Sequence, residues 1–229
     1  MKEEQAQPAP YRLRADARRN LEHLLAAARD VFAEHGPGAA LDEVARRASV
    51  GIATLYRRFP DRRLLARAVA LDVWERAAQE AQLALAEAPS AFEALARYMH
   101  RALDLRVGAV MPVLVGQVPV DEDVRRARDQ SAESVQAMMD AARIEGTLRS
   151  DVAFGDVGLL LIRLGRPLPG PFPRALDDAL AHRHLELAID GLRTAGNRTA
   201  GRLLGTALTL DDLRTLFPPD TRDGAPKGS

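Results

Sequence analysis

Apolar residues recur every third or fourth position along almost the whole chain, so it can bury them only as helices packed on helices. Alanine and leucine supply most of its 47% hydrophobic content, and aromatics only 4%. That composition favours helix. The expected fold is all-α: an N-terminal three-helix head followed by a helical bundle.

The first helix is expected from Arg14 to His35, with Leu21, Leu24, Leu25, Ala28, Val31 and Phe32 on one face, ended by Gly36-Pro37-Gly38. A short helix follows, with Leu41, Val44, Ala45 and Ala48 on one side. Ser49-Val50-Gly51 breaks it. A second short helix has Ile52, Leu55, Tyr56 and Phe59 at inward spacing. Pro60-Asp61 ends it, and Asp61 can cap a long helix from Arg62 past Trp74, towards Ala88.

Two short helices joined by a glycine-containing turn form a helix-turn-helix. The solvent face of the second, Gly51, Ala53, Thr54, Arg57 and Arg58, is small and basic. A helix entering the major groove needs such a surface, small for close approach and with arginine for phosphate or guanine. The same pattern also suits an ordinary helical hairpin with solvated arginines. The chain as a whole has zero net charge, yet residues 11–67 hold twelve arginines against seven carboxylates. A basic head on an acidic body suits one DNA-facing module.

The stretch from Leu21 to Leu71 resembles the DNA-binding domain of the TetR family. The match is carried by AAARDVFAEHG (26–36) and LDEVARRASVGIATLYRRFPDRRLL (41–65), most specifically Thr54-Leu55-Tyr56-Arg57-Arg58-Phe59-Pro60. The resemblance implies a homodimeric transcriptional regulator, a repressor released from an inverted repeat of double-stranded DNA by a small-molecule ligand of unknown identity. It places Tyr56 against phosphate, Gly51, Ile52, Ala53, Thr54 and Arg57 towards the groove, and Arg62 where a lysine commonly touches phosphate. Two positions depart from the family pattern. Ala40 stands where Ser or Thr usually caps the second helix and binds phosphate, leaving Asp42 or water to substitute. Arg58 replaces the usual His or Tyr. Arg12, Arg14 and Arg18 form a basic arm suited to the minor groove. The organisation expected is a disordered arm (1–13), a DNA-binding domain (14–72), a ligand-binding and dimerisation domain (73–217) and a disordered tail (218–229).

In the body, helices are expected from Ser90 to about Val107, broken by Gly108, and from Asp121 or Asp123 to Gly146. Between them lies a short apolar segment, Val110–Val118, interrupted by Pro112. Asp151 can cap another helix, with Phe154, Val157, Leu160, Leu161 and Leu164 inward. A Pro/Gly-rich loop (164–173) precedes a helix from Arg174 to Ala195 bearing Leu176, Leu180, Leu187 and Leu192, and Thr209 with Asp212 forms a capping-box pattern. The helix after Asp151 is apolar almost all round, so it is either central to the bundle or covered by a second chain. The family makes its dimer from its last two long helices, which assigns Val157, Leu160, Leu161, Leu164, Leu187 and Leu192 to that interface. Phe92, Met99, Met111, Met138 and Met139 are candidate walls of a ligand pocket or simple core filling. His100, Arg106 and Arg163 are candidates to orient a polar ligand group.

Catalytic and metal readings find no support. With no cysteine there is no disulfide, thiolate zinc site or iron–sulfur cluster. His182 and His184 diverge on a helix, and no glycine-rich phosphate loop or nucleophile elbow occurs. No enzyme activity and no cofactor are expected. The N-terminal residues lack the apolar core of a signal peptide, and no apolar run approaches the ~20 residues of a membrane helix. A cytoplasmic protein is expected. The competing reading is an all-α protein-interaction adaptor that does not bind DNA.

Overall fold

A computed structural model describes residues 10–36, 38–114, 118, 121–194 and 203–216. The described residues form ten helices and no strand. They are α1 (Pro10–His35), α2 (Leu41–Arg47), α3 (Ile52–Arg58), α4 (Arg62–Glu87), α5 (Ala91–Asp104), α6 (Val107–Leu114), α7 (Glu122–Ile144), α8 (Phe154–Leu164), α9 (Arg174–Leu192) and α10 (Leu210–Leu216). The expected tail, 218–229, lies outside the described residues. So do residues 1–9 of the expected arm, while residues 10–13 are helical. Proline is preorganised for the first helical position, which is where Pro10 stands.

α4 is the spine. It packs on α1 and α6 on one side of the fold and most extensively on α5 and α7. Its buried side is mainly alanine (Ala66, Ala70, Ala77, Ala78, Ala81, Ala84) with Leu65, Val69 and Val73. Small residues let neighbouring axes come close. The volume is supplied from α5 by Phe92, Leu95, Tyr98 and Met99, and from α7 by Val135, Met138 and Met139. The core is continuous from head to body: Phe32, Val44, Leu55 and Leu65 belong to the same cluster as Met99 and Met138. The expected boundary after residue 72 falls inside α4. One polar pair lies in this interior. The Tyr98 phenol bonds Ser131, and its burial pushes its pKa upward against that bond.

Local capping sets several ends. Asp61 accepts from the Arg63 amide (2.7 Å), Ser90 from Glu93 (3.2 Å) and Asp121 from Val124 (3.1 Å). Thr209 and Asp212 form the reciprocal box: the Thr209 amide donates to the Asp212 carboxylate (2.8 Å) and the Asp212 amide to Thr209 Oγ1 (3.2 Å).

Three expectations need correction. Gly108 does not break a helix. It lies within α6, where a Cβ would meet the Leu161 carbonyl oxygen at 2.1 Å, so the glycine is a close crossing of α6 over α8. The break falls at Arg106, whose φ is +54°. Asp151 does not cap α8; it pairs with Arg149 (two contacts of 2.9 Å), and Asp156 caps instead by accepting from the Ala153 amide (2.7 Å). Finally, α9 stops at Leu192, before Ala195. The Leu192 carbonyl accepts from the Arg149 amide (3.1 Å), and the Thr194 amide donates to Thr147 (2.9 Å), drawing the chain off the helix into an antiparallel bridge.

Candidate nucleic-acid interface

α2 and α3 are joined by Ala48–Gly51, with Ser49 in the left-handed region (φ +55°). Within α3 only Leu55 is buried, and Phe59 seals the helix end behind it. Two anchors on one side leave the remaining side bare. Gly51, Ala53, Thr54, Arg57 and Arg58 are exposed, as expected. Ile52 and Tyr56 are exposed too, 37% and 48%, although their spacing alone suggested inward positions. A seven-residue helix offers one buried turn, and Leu55 fills it. A Cβ at Gly51 would meet nothing closer than Thr54 Oγ1, at 3.9 Å, so internal packing does not demand glycine there. Its smallness is available to something outside the chain.

The arginines of the head divide into two sets. Arg47 binds Glu34 of α1 through both terminal nitrogens (2.6 and 2.8 Å) and Glu43 through Nε (3.1 Å), locking α2 to α1. Arg46 also holds Glu43 (2.7 and 2.9 Å). Together they pull the Glu43 carboxyl down to about 2. By contrast, Arg57, Arg58 and Arg63 are exposed and make no ion pair or side-chain hydrogen bond among the described residues. Desolvating them against phosphate breaks nothing inside the protein. Arg62 is half-buried, and its Nη1 donates to the Ala39 carbonyl, tying the start of α4 to the loop before α2. Ala40 has the extended backbone of an N-cap (φ −63°, ψ 132°) and supplies no side-chain cap. Among the described residues no side-chain hydrogen bond from Asp42 takes its place. Arg18 is on α1, exposed and 3.6 Å from Glu22. The side chains of Arg12 and Arg14 lie outside the described residues.

In the body, of the residues singled out for a ligand only Arg106 lines either of the two cavities described below. Phe92, Met99, Met138 and Met139 are fully buried in the core, with the Arg193 guanidinium 4.3 Å from the centre of the Phe92 ring. Met111 is half-buried and Arg163 exposed. Flexible methionines have filled the interior rather than lined a space. His100 stacks on His182 of α9 (centroids 5.1 Å apart), Nδ1 to Nδ1 at 2.8 Å, so one ring donates and the other accepts. Glu186 and Asp104 flank the pair, 2.8 Å from His100 Nε2 and 3.0 Å from His182 Nε2. The sequence pattern gave no sign of this pairing, because its members are 82 residues apart. Two cavities lie elsewhere. One, of about 330 Å³, opens between Arg143, Asp151, Asp156 and the returning segment 203–207. The other, of about 140 Å³, lies between the end of α5 and the start of α9. Of the proposed dimer residues, Val157 and Leu161 are buried within the chain, Leu160, Leu164 and Leu192 are half-buried, and Leu187 is 68% exposed.

A shallow, basic reading helix clamped on an all-α body defines a helix-turn-helix DNA-binding protein. Residues 24–69 match the family described as "Bacterial regulatory proteins, tetR family", and residues 87–194 match "Transcriptional regulator SbtR-like, C-terminal domain". No curated protein matches the chain. Among solved structures, the TetR regulator SCO0520 from Streptomyces coelicolor is 34% identical over 76% of this chain and 98% of its own, with a TM-score of 0.55. A TetR regulator from Mycobacterium vanbaalenii is 32% identical over 80% of this chain and 99% of its own, also at 0.55. LfrR from Mycobacterium smegmatis, solved with proflavine, shares the fold at 24% identity over 75% of this chain and 96% of its own, with a TM-score of 0.56. The chain belongs to the TetR family: it is a DNA-binding transcriptional regulator, and the adaptor reading is set aside. Among the described residues, no helix is long and apolar enough to cross a membrane, and no cluster of metal-ligating side chains occurs.

Proposed function

We propose that this regulator represses by binding an inverted repeat as a homodimer and lets go when a small molecule binds the body. The observation that carries the DNA half is the bare face of α3, where Arg57 and Arg58 have no ion-pair or side-chain hydrogen-bond partner among the described residues. In this reading Gly51, Ile52, Ala53, Thr54 and Arg57 face base edges, while Tyr56 and Arg62 touch phosphate. Arg12, Arg14 and Arg18 lie on α1 and follow the backbone or the adjacent minor groove. The operative units are the head (14–72) and the body (73–217), joined through α4. The exposed Leu187 and half-buried Leu160, Leu164 and Leu192 support a partner chain on α8 and α9. LfrR, which shares this fold, is solved in complex with proflavine, which supports a small-molecule effector here.

Selection from random duplexes tests the DNA half. The recovered sites should be inverted repeats with half-sites about one helical turn apart, or a multiple of it. Binding should weaken steeply with salt as phosphate contacts release counterions. Recovery of unrelated sequences, or a flat salt response, overturns the assignment.

A further inference from the structure

Between α5 and α6 the chain turns through Arg106, a long side chain in the left-handed region. Such a conformation persists only where its surroundings hold it, and it gathers at ligand clamps and switches. Here the holders are charges. The Arg106 side chain is nine-tenths buried, with Nε 3.3 Å from Asp30 of α1 and Nη2 2.9 Å from Asp178 of α9. Arg174, the first residue of α9, reaches the same partners. Its Nη2 is 2.9 Å from Asp30, its Nη1 3.0 Å from Glu34, and its Nε 3.7 Å from Asp178. Glu34 in turn holds Arg47 of α2. An unbroken line of ion pairs therefore runs from the start of α9, through α1, to the helix that carries α3.

The 140 Å³ cavity opens onto the body end of this line. Leu103, Leu164 and Ala181 give it an apolar wall; Arg106, Arg174 and Asp178 give it a charged one. The far side is Asp104, already bound by His182 (3.0 Å). A dry cavity of about 150 Å³ holds benzene, so this space suits an occupant of about six heavy atoms. Asp178 is the replaceable member. Its side chain is 45% exposed and can turn to water, leaving both guanidiniums for another carboxylate. Guanidinium binds carboxylate with a directional fork that an amide cannot match.

We propose that this cavity is an effector site for a small carboxylate with a short apolar tail. Its occupant acts on the reading head by drawing Arg106 and Arg174 away from Asp30 and Glu34. The proposal rests on the ligand-responsive reading above and names a site for it.

The test measures binding of butyrate, butyramide and butylamine to the full-length protein by calorimetry, with and without operator. Butyrate should bind roughly tenfold tighter than either analogue. Asp178→Asn removes the internal competitor and should tighten butyrate severalfold, whereas Arg174→Gln should weaken it about tenfold. Both side chains are about half exposed, so the variants are expected to fold, which a thermal melt checks. A merely structural ion pair would not give tighter binding on loss of Asp178. Operator DNA should weaken butyrate by the same factor that butyrate weakens operator. Absence of saturable butyrate binding, equal binding of butyramide or butylamine, or an unchanged Asp178→Asn affinity overturns the site. Butyrate affinity indifferent to operator overturns the proposed action on the head. Release from DNA by a molecule that crosslinks elsewhere in the body overturns this site and leaves the ligand-responsive reading standing.

Discussion

α3 and α9 both bury little within their own chain, and what each leaves bare is opposite in character. α3 anchors through Leu55 and, beside Ile52 and Tyr56, shows solvent alanine, threonine and arginines that have no ion pair among the described residues. α9, nineteen residues long, buries only Leu185 and Ile189 and leaves Leu176 and Leu187 about half to two-thirds exposed. Beside it, α8 keeps Gly158, Leu159, Leu160 and Ile162 only half-buried. An uncovered surface is finished by whatever its chemistry can pair with. A small basic face calls for phosphate and base edges. The leucines left on α9 and α8 call for another apolar surface, which the second copy of the proposed dimer would supply.

The largest effect on this contrast should come from Gly108, which seats α8 on α6 and so decides which face of α8 remains outward. Gly108→Ala drives a Cβ into the Leu161 backbone, and backbone yields less readily than a side chain tip. A cost of about 3 kcal/mol or more is expected, seen as a lowered denaturation midpoint together with lost association. Full stability in this variant would mean that α6 and α8 do not cross there.

Next comes the partner surface itself. Leu187→Glu adds a charge to a residue that is exposed in the single chain, so the protomer should keep its melting behaviour. Association should weaken by at least ~2 kcal/mol, because the charge must be desolvated against the partner. Sedimentation at micromolar concentration should then show monomer where the unmodified protein is expected to show dimer. A dimer that tolerates Leu187→Glu moves the interface away from α9. Smaller again is the effect at the reading helix. Arg57→Ala should cost about 1–3 kcal/mol of operator affinity if it reads guanine, and relax preference at one base pair. Tyr56→Phe should weaken all sequences alike, since a phosphate contact carries no sequence information. Neither should alter dimerisation, and a change in oligomeric state on either would break the contrast between the two faces.

How much of this was legible in the sequence depended on how local the cause was. The short α2 and α3, the break at Ser49–Gly51, and the Asp61 and Thr209 caps are decided by neighbours within four residues, and the pattern showed them. Ile52 and Tyr56 have inward spacing but turn outward, because one turn of helix has room for one anchor; only the family resemblance placed them at the DNA. Gly108 looked like a breaker because a sequence does not show that another helix lies 2.1 Å from a missing Cβ. The methionines were ambiguous between wall and filler until the packing was seen. The line from Arg106 to Asp30, Asp178, Arg174 and Glu34 joins directly paired residues as far apart in the chain as Asp30 and Arg174, beyond the reach of any local pattern.

The smallest predicted effect concerns the family departure at Ala40. Its backbone already has the extended geometry of an N-cap, yet no side chain satisfies the first amides of α2. The Glu43 amide, at the third helical position, donates at 3.2 Å to the Ala40 carbonyl, a long contact. A serine here would place Oγ within reach of that amide and complete one half of a capping box. The other half would not form freely, because the Glu43 carboxylate is held by Arg46 and Arg47. Ala40→Ser should therefore stabilise the head by about 0.5–1 kcal/mol, towards the lower end of capping effects. It should also present a hydroxyl beside α2 and Arg62, strengthening operator binding through one more phosphate contact. That extra contact is neutral, so it should raise affinity without steepening the salt dependence, which follows the number of cations engaged. A steeper salt slope in Ala40→Ser would mean that the substitution had repositioned Arg62 or Arg63 rather than added a hydroxyl contact. No change in either melting or affinity would mean that water already caps α2 as well as a side chain can.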